Sequence, residues 1–186
     1  MPSSPVHSGI VLDVETTGLN PASCSLLSIG AVDLENNETF YIECKPWAAA
    51  HVAQRALEIN GFLDANAQCV TTEGQAIAQF LTWLTSRSNI TPIGQNVAFD
   101  MGFIEEACKR RNLKYPLGHR GVDLHSLTYA WLARQGITKL NPKKRKTDIA
   151  LDDELVLVGI ECRKGIHNAL EDALLEAELY RRLQEI

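Results

Sequence analysis

Hydrophobic and polar positions alternate with a short period in the first part of the chain, which predicts strands. Residues 10–19 form an apolar run that carries two carboxylates and breaks at a glycine, as expected of a strand that ends in a turn. Residues 26–34 and 39–44 are two further strand-like runs, and the polar segment 35–38 between them predicts a hairpin turn. Together these runs predict an antiparallel meander at the start of the fold.

Much of the remaining chain has the longer period of amphipathic helices. Ile77, Phe80 and Leu84 recur at intervals of three and four residues. Thr71 or Thr72 is positioned to cap the helix that contains them. Similar patterns predict five more helices, over residues 48–62, 96–111, 123 or 124 to 134, 148–158 and 168–184.

Two short apolar segments lie between these helices and predict a fourth and a fifth strand. They occupy residues 90–94 and the segment that ends at Val122. Parallel strands need long, usually helical, connections, so a meander followed by alternating helices and strands is typical of a mixed sheet. The sequence therefore predicts an α/β fold of three layers, in which a mixed five-stranded sheet has helices on both faces.

Length and composition predict a single domain. The 186 residues are most economically one domain over residues 1–186, with residues 1–8 as a flexible lead. No run approaches the roughly 18 apolar residues of a membrane span, and the lead lacks the apolar core of a signal peptide. Five scattered cysteines favour reduced thiols over a disulfide framework. These features predict a cytoplasmic protein without a membrane segment.

The charge balance is mildly acidic, with a formal net charge of −5. This balance does not indicate a strongly basic nucleic-acid-binding protein, but acids committed to a metal site would lower the formal charge without making the working surface anionic. One basic segment, residues 139–146, contains Lys139 and the run Lys143, Lys144, Arg145 and Lys146. Two interpretations stay open for it: a solvated loop, or a flap that contacts phosphates.

The first strand carries the first candidate chemistry. Asp13 and Glu15 are two residues apart, so on a strand their side chains point to the same face. Two carboxylates so close repel each other unless a cation lies between them, which makes a divalent metal ion the natural partner. The alternative is an edge strand with two solvated acids, so further ligands elsewhere in the chain are needed to decide.

Three more polar residues fall where predicted strands and helices meet. Asp100 lies about one turn into the helix that follows the fourth strand. His167 and Asp172 are five residues apart, and on a continuous helix such positions diverge by about 140°. Asn168 followed by Glu171 is a capping-box pattern, which places His167 outside the final helix and allows it to converge with Asp172.

In combination these residues form three motifs that resemble those of a known enzyme family. Asp13-x-Glu15, Asn96-x-x-x-Asp100 and His167-x-x-x-x-Asp172 resemble the three exonuclease motifs of the DEDDh 3′-to-5′ exonucleases, the group that contains DnaQ-like proofreading subunits and RNase T. The likeness extends to the flanking residues, over segments 11–19, 94–100 and 167–173.

The resemblance implies an RNase H-like fold and an enzyme with two divalent metal ions, Mg²⁺ or Mn²⁺. It implies stepwise release of 5′-mononucleotides from the 3′ end of DNA or RNA, on single strands or frayed ends. Its metal ligands would be Asp13, Glu15, Asp100 and Asp172, with Asp13 as the bridging ligand. His167 would be the general base, because an imidazole of ordinary pKa, about 6.5, accepts a proton at neutral pH.

Other residues have two interpretations each. Thr16 and Leu19 are placed to contact the 3′-terminal nucleotide, or they belong to a plain turn with a buried leucine. Asn96 contacts substrate or caps its helix, and capping is the favoured interpretation. Asp123 resembles a position that many relatives fill with aspartate, but capping of its helix explains it equally well.

Two other functions are compatible with parts of the pattern. A non-catalytic adaptor could keep the fold and bind a polymerase or another protein, although a scaffold has no need of four convergent carboxylates. A phosphodiesterase that acts on a small nucleotide could use the same site. The sequence does not separate DNA from RNA, which depends on contacts to the 2′ position, nor does it choose between a free-standing enzyme, a homodimer and a polymerase-bound subunit.

Overall fold

The computed structural model describes residues 8–162 and 165–185, so all but the last residue of the predicted flexible lead, 1–8, lies outside the described residues. The described residues contain five strands, close to the predicted positions. They are β1 (Ile10–Thr16), β2 (Leu26–Asp33), β3 (Thr39–Glu43), β4 (Pro92–Gly94) and β5 (Val122–Asp123).

The five strands form one mixed sheet in the order β3-β2-β1-β4-β5. The β1–β2 and β2–β3 pairs are antiparallel, which confirms the predicted meander. The β1–β4 and β4–β5 pairs are parallel and are reached through helices, as the alternating second half of the sequence predicts. β1 therefore lies at the centre of the sheet, between the antiparallel and parallel halves.

Each predicted helix is present in the described part of the chain. The helices are α1 (Gln54–Asn60), α2 (Glu73–Leu84), α3 (Ala98–Arg110), α4 (Leu124–Arg134), α5 (Leu151–Leu157) and α6 (Ala169–Glu185). Thr72 caps α2 in a capping box with Gln75. The first and fifth helices are shorter than predicted because the residues before them bond elsewhere: the backbone N–H of Ala53 donates to Thr17, and the carbonyl of Ile149 accepts from the Gln95 side chain.

Two hydrophobic cores cover the two faces of the sheet, which confirms the three-layer prediction. On one face, Ile10, Leu12 and Val14 of β1 pack with residues of α2 and α3. On the other face, Val11 of β1 packs with residues of α4, α5 and α6. Because strand side chains alternate, Asp13 and Glu15 share the Val11 face and point toward the α6 layer.

A glycine lets the start of α6 sit directly on the sheet. Gly30 of β2 is paired with Asp13 of β1, and a Cβ at position 30 would lie 2.2 Å from the carbonyl carbon of Ala169. Any larger residue would push α6 away from the strand. This close contact brings the segment that contains His167 and Asp172 over the acidic end of β1. None of the described helices is long and apolar enough to cross a membrane.

Candidate active site

Asp100 is fixed to the first strand by a backbone hydrogen bond. The pairing of β1 with β4 covers Ile10 and Val11, so further along β1 this edge needs other partners. The backbone N–H of Val14 donates to Oδ1 of Asp100 at 3.0 Å. The first turn of α3 is thereby joined to β1 between the two acids of the strand.

His167 and Asp172 converge as the capping pattern predicts. Oδ1 of Asn168 accepts hydrogen bonds from the backbone N–H groups of Leu170, at 3.0 Å, and Glu171, at 3.2 Å, so α6 begins after His167. Nδ1 of His167 lies 3.5 Å from Oδ2 of Asp172. The imidazole is 38% exposed, whereas the carboxylate of Asp172 is 4% exposed, so the histidine forms the rim of the site.

The structure brings the acids of the three motifs to one place. Ligand atoms of Glu15, His167 and Asp172 all lie within 4.8 Å of one another, a grouping that could hold a metal ion. Asp13 interacts electrostatically with Glu15, Asp100 and Asp172. Residues that are far apart in the sequence thus form a single cluster at the end of β1, although their individual roles stay predictions.

The electrostatics of this cluster fit a divalent cation. Burial raises the pKa of Asp13 well above its usual range, and the neighbouring acids, among them Asp100, raise it further. Burial also raises the pKa of Asp100, while the hydrogen bond from Val14 opposes that shift. Several acids thus lie close together, and Oδ2 of Asp13 is buried without a hydrogen-bond partner among the described residues. Such a cluster provides the oxygen ligands that a hard divalent cation prefers.

Sequence reasoning missed a further acid, Glu176. It lies on α6 one turn after Asp172, is 2% exposed, and its Oε1 accepts a hydrogen bond of 3.1 Å from the backbone N–H of Gln95. The signal was available, since residues four apart on a helix lie on the same face. The motif comparison did not use it because the motif ends at Asp172.

A second missed acid is Glu154 of α5, which packs on the same face of the sheet as α6. Its side chain is fully buried, and its Oε1 is 3.9 Å from Nδ1 of His125. Burial raises the pKa of Glu154 to about 8, although Gln95 and Thr128 lie close enough to oppose part of that shift. Glu154 is therefore mostly protonated and neutral at pH 7 in the folded protein.

We expect the substitution Glu154→Gln to stabilise the folded protein at alkaline pH, where the buried Glu154 carboxyl lowers the free energy of unfolding. The folded chain retains the Glu154 proton up to about pH 8, whereas the unfolded chain releases it near 4.5, so this group makes the fold less stable as pH rises between these values. Denaturant unfolding should show Glu154→Gln to be more stable than the wild type by on the order of 4 to 5 kcal/mol at about pH 8.5, and by less than about 1 kcal/mol at about pH 5. A stability difference independent of pH would contradict this expectation.

An apolar pocket lies beside Glu15. Its volume is about 330 Å³, and its walls include Thr16, Leu19, Ile59 and Phe99. Leu19 is 85% exposed, so the interpretation of a buried leucine in a plain turn is wrong. The turn after β1 leaves this side chain on the surface. Phe99 and Ile59 were not identified from the sequence, because a hydrophobic residue on a helix usually predicts core packing.

Hydrogen bonds hold the walls of this pocket to the end of β1. The side-chain amide of Asn60 donates to the carbonyl of Thr16 at 3.0 Å, and the hydroxyl of Thr17 donates to the carbonyl of His51 at 2.7 Å. The hydroxyl of Thr16 donates to the carbonyl of Gly18 at 2.8 Å. The segment around α1 and the turn after β1 are therefore one connected unit beside the acids.

The interpretation of Asn96 as a helix cap is wrong. Val97 is the N-cap position of α3 and makes no side-chain cap bond, while Asn96 has a left-handed φ of 57° in the preceding turn. Asp123 does cap α4, because its side chain accepts the N–H of Ser126 at 2.9 Å. Asn96 and Asp123 both border a cavity of about 660 Å³, which is separate from the pocket at Leu19.

The basic segment, residues 139–146, is an exposed turn next to that second cavity. Nζ of Lys144 pairs with Asp148 at 2.8 Å, with both side chains largely exposed. Lys146 borders the cavity together with Asn96. This position is compatible with the solvated loop and with the phosphate-contacting flap, so both interpretations stay open.

A larger cavity lies away from the acids. It has a volume of about 820 Å³ and is bordered by Trp47, Glu73 and Arg110. The Arg110 guanidinium lies over the Trp47 ring, 5.4 Å from its centroid, and pairs with Glu73 at 2.8 Å. We place the functional site at the smaller pocket, since that pocket borders Glu15.

The amino-acid sequence of this chain matches the model of a known protein family. The family model RNase_T, described as Exonuclease, matches residues 10–180. This chain belongs to the RNase_T exonuclease family. It is accordingly a 3′-to-5′ exonuclease, a hydrolase that acts on nucleic acid. The DEDDh resemblance expected from the three motifs is confirmed.

Individual relatives agree with the family assignment. The chain is 27% identical to ribonuclease T of Vibrio vulnificus strain YJ016, over 92% of this chain and 81% of the relative. Among solved structures it resembles the nuclease domain of 3′hExo, a DEDDh family member bound to rAMP, with a TM-score of 0.74 and 17% identity over 98% of this chain and 94% of that one.

It also resembles exonuclease I of E. coli in complex with a dT13 oligonucleotide, with a TM-score of 0.77 and 18% identity. That match covers 95% of this chain and 41% of the longer one. At such low identity these likenesses bear on the fold, and they confirm the predicted RNase H-like architecture of the RNase_T exonuclease.

Proposed function

We propose that this exonuclease hydrolyses phosphodiester bonds stepwise from the 3′ end of single strands or frayed ends, with two divalent metal ions, and releases 5′-mononucleotides. The observation that carries the proposal is the convergence of Asp13, Glu15, Asp100 and Asp172 at the end of β1. A non-catalytic adaptor would gain nothing from burying these acids together, since their repulsion is unfavourable without a cation.

The four acids would hold the metal ions, with Asp13 as the bridging ligand because it interacts with each of the other three. Mg²⁺ is the proposed ion and Mn²⁺ its substitute, since both prefer carboxylate oxygen. When bound, such ions lower the pKa of the attacking water and stabilise the leaving 3′ oxygen.

His167 is the proposed general base of the reaction. Its half-exposed imidazole lies on the rim of the site, where water can approach it. The carboxylate of Asp172, 3.5 Å from Nδ1, orients the ring and would stabilise the imidazolium that forms when the ring accepts a proton. Asp100 has a second role here, since its bond to Val14 holds α3 against the strand.

The pocket beside Glu15 is the proposed site of the 3′-terminal nucleotide. A base could lie between Leu19 and Phe99, and the pocket volume, about 330 Å³, is near the lower end of the range for small-ligand sites. Exposed apolar side chains such as Leu19 support stacking contacts that do not depend on base identity. Thr16 lines the same pocket, while Asn96 would contact a different part of the strand.

The choice between DNA and RNA and the assembly state stay open predictions. One solved relative is bound to a DNA oligonucleotide and another to rAMP, so these two structures do not favour either nucleic acid, while the curated relative is named as a ribonuclease. We propose that residues 1–186 act as one exonuclease domain, and a homodimer or a polymerase partner remains a prediction from the family resemblance.

Incubation of matched DNA and RNA oligonucleotides with the purified protein tests the proposal. Each oligonucleotide carries a 5′ label in one reaction and a 3′ label in a parallel one. With Mg²⁺ we expect the 5′-labelled strand to shorten one nucleotide at a time, and the 3′ label to appear as mononucleotide in the first step. Chelation should stop both changes, because the acids alone cannot stabilise the leaving oxygen.

A strand with a blocked 3′ end is the matched substrate control and should resist degradation. Internal fragments, or release that persists in excess chelator, would contradict the proposal. Activity on dinucleotides but not on longer strands would favour the small-nucleotide phosphodiesterase instead. The DNA and RNA arms of the same experiment measure the preference between the two nucleic acids.

A further inference from the structure

Glu176 presents an unpaired carboxylate oxygen to the interior beside the acidic cluster. It is 2% exposed, and although its Oε1 accepts the N–H of Gln95, its Oε2 is buried without a hydrogen-bond partner among the described residues. Buried polar atoms nearly always have partners in folded proteins. The unpaired oxygen therefore calls for a ligand that the described part of the chain does not supply.

Because Gly94 has no side chain, the Glu176 carboxylate can pack directly against the backbone of the sheet at this position. A Cβ at Gly94 would lie 2.8 Å from the carbonyl oxygen of Leu12 and 3.2 Å from Oε2 of Glu176. The carboxylate thus lies over the junction of β4 and β1, one residue before Asp13. It raises the pKa of Asp13 more than Glu15 does, although Glu15 is on the same strand.

Among the described residues, the side chains whose charge raises the pKa of Glu176 are acids. They are Asp100 and Asp172, with Glu154 adding to them when it is ionised, and all act in the same direction as burial. The same is true of Asp13, whose Oδ2 is also buried and unpaired. Two buried carboxylates on which no cationic side chain of the described residues acts are strongly unfavourable unless a cation joins them.

We propose that Glu176 is a fifth carboxylate of the metal centre, a ligand on the Gly94 side that acts together with Asp13. The inference rests on the proposed metal-dependent function and adds a residue that lies outside the three motifs. More ligand charge raises the affinity of a site for divalent cations. The consequence is an exonuclease that keeps its ions at lower free metal concentrations than four acids alone would allow.

Metal binding measured by titration calorimetry with Mn²⁺, without nucleic acid, tests this assignment. The substitution Glu176→Gln keeps the shape of the side chain and an oxygen that can accept the N–H of Gln95, but it removes the charge. We expect the dissociation constant of the weakest-bound ion to rise about tenfold or more, the size of effect that loss of a supporting carboxylate commonly has. An unchanged isotherm would overturn the proposal.

Glu154→Gln is the matched control, because Glu154 is equally buried but already mostly neutral at pH 7. We expect it to bind Mn²⁺ within about twofold of the wild type, less than the tenfold effect of removing a ligand. Equal weakening in both variants would contradict the assignment, since metal affinity would then follow the polarity of the layer and not the position of Glu176.

A second variant guards against a folding defect in the first. Glu176→Asp keeps the charge but withdraws the carboxylate by one methylene, and we expect it to weaken Mn²⁺ binding severalfold while thermal unfolding without metal stays cooperative. Wild-type affinity in this variant would also overturn the proposal. If the wild type itself binds no Mn²⁺, the proposed function fails; if the wild type binds and both Glu176 variants match it, only the fifth ligand is wrong.

Discussion

Replacing Asp13 with asparagine is expected to lower kcat by at least about a thousandfold, because each metal-bound oxygen contributes several kcal/mol to stabilising the developing charge. Asp13 is the acid that interacts with all the others, so its loss affects both proposed ions. Single-turnover cleavage of a 5′-labelled strand at saturating Mg²⁺ measures the rate of the cleavage step independently of product release.

The stability of the Asp13→Asn variant separates a lost function from a lost fold. The pKa of Asp13 is raised, which means that its charged form is unfavourable in the metal-free protein. The asparagine variant should therefore unfold at the same temperature as the wild type or a higher one when no metal is present. It should also gain less stability from added Mg²⁺.

Asp64→Asn is a matched substitution on the surface, where the Asp64 side chain accepts the N–H of Asn66 in an exposed turn. We expect it to retain wild-type kcat. The bridging role of Asp13 would be refuted by an Asp13→Asn protein that is folded and keeps more than about a tenth of the wild-type rate, since a factor of ten is only about 1.4 kcal/mol.

The fold was predictable because its signals are local. The alternating run that contains Asp13 defines β1, and the caps at Thr72 and Asn168 mark the starts of α2 and α6 within a residue. Helix boundaries were less predictable where the chain bonds to distant segments. The segment before α1 is held by Thr17 and Ser23, and no local pattern encodes those contacts.

The candidate site was predictable where side chains of unusual chemistry lie at element ends. Asp100 was found because it follows a strand, yet its bond to Val14 was not, since that bond depends on where β4 stops pairing. The sequence assigns Leu19 to the nucleotide site in one of two interpretations, whereas it does not assign Phe99 there. A phenylalanine on a helix usually predicts a core residue, and only the three-dimensional structure shows that Phe99 lines the pocket together with Leu19.

Glu154 and Glu176 were missed for a related reason. On an amphipathic helix an acid is normally assigned to the solvent side, and α6 contains several acids that do face solvent. The sheet contact at Gly30 sets the rotation of α6, and that contact is made by backbone atoms without a sequence signature of their own. Burial of a charged residue is thus decided by packing between elements and not by the helix pattern.

Replacing His167 with alanine is expected to lower kcat by about 10²- to 10⁴-fold, the usual contribution of a general base. The grouping of His167 with Glu15 and Asp172 within 4.8 Å also permits a different role, in which the imidazole is itself a metal ligand. The two roles differ in what the substitution does to metal binding. A base accepts a proton from water, so its removal should leave Mn²⁺ affinity within about twofold of the wild type, whereas loss of a ligand should weaken it tenfold or more.

Calorimetric titration with Mn²⁺, paired with single-turnover cleavage, distinguishes these roles in one variant. His119→Ala removes an exposed imidazole elsewhere and should change neither measurement. The position of the ring fits the base: Nδ1 of His167 lies 3.5 Å from the Asp172 carboxylate, and the imidazole is on the exposed rim of the site where water can approach it. Parallel losses of Mn²⁺ affinity and rate in His167→Ala would show instead that the histidine belongs to the metal centre, and the proton acceptor would then have to be sought elsewhere.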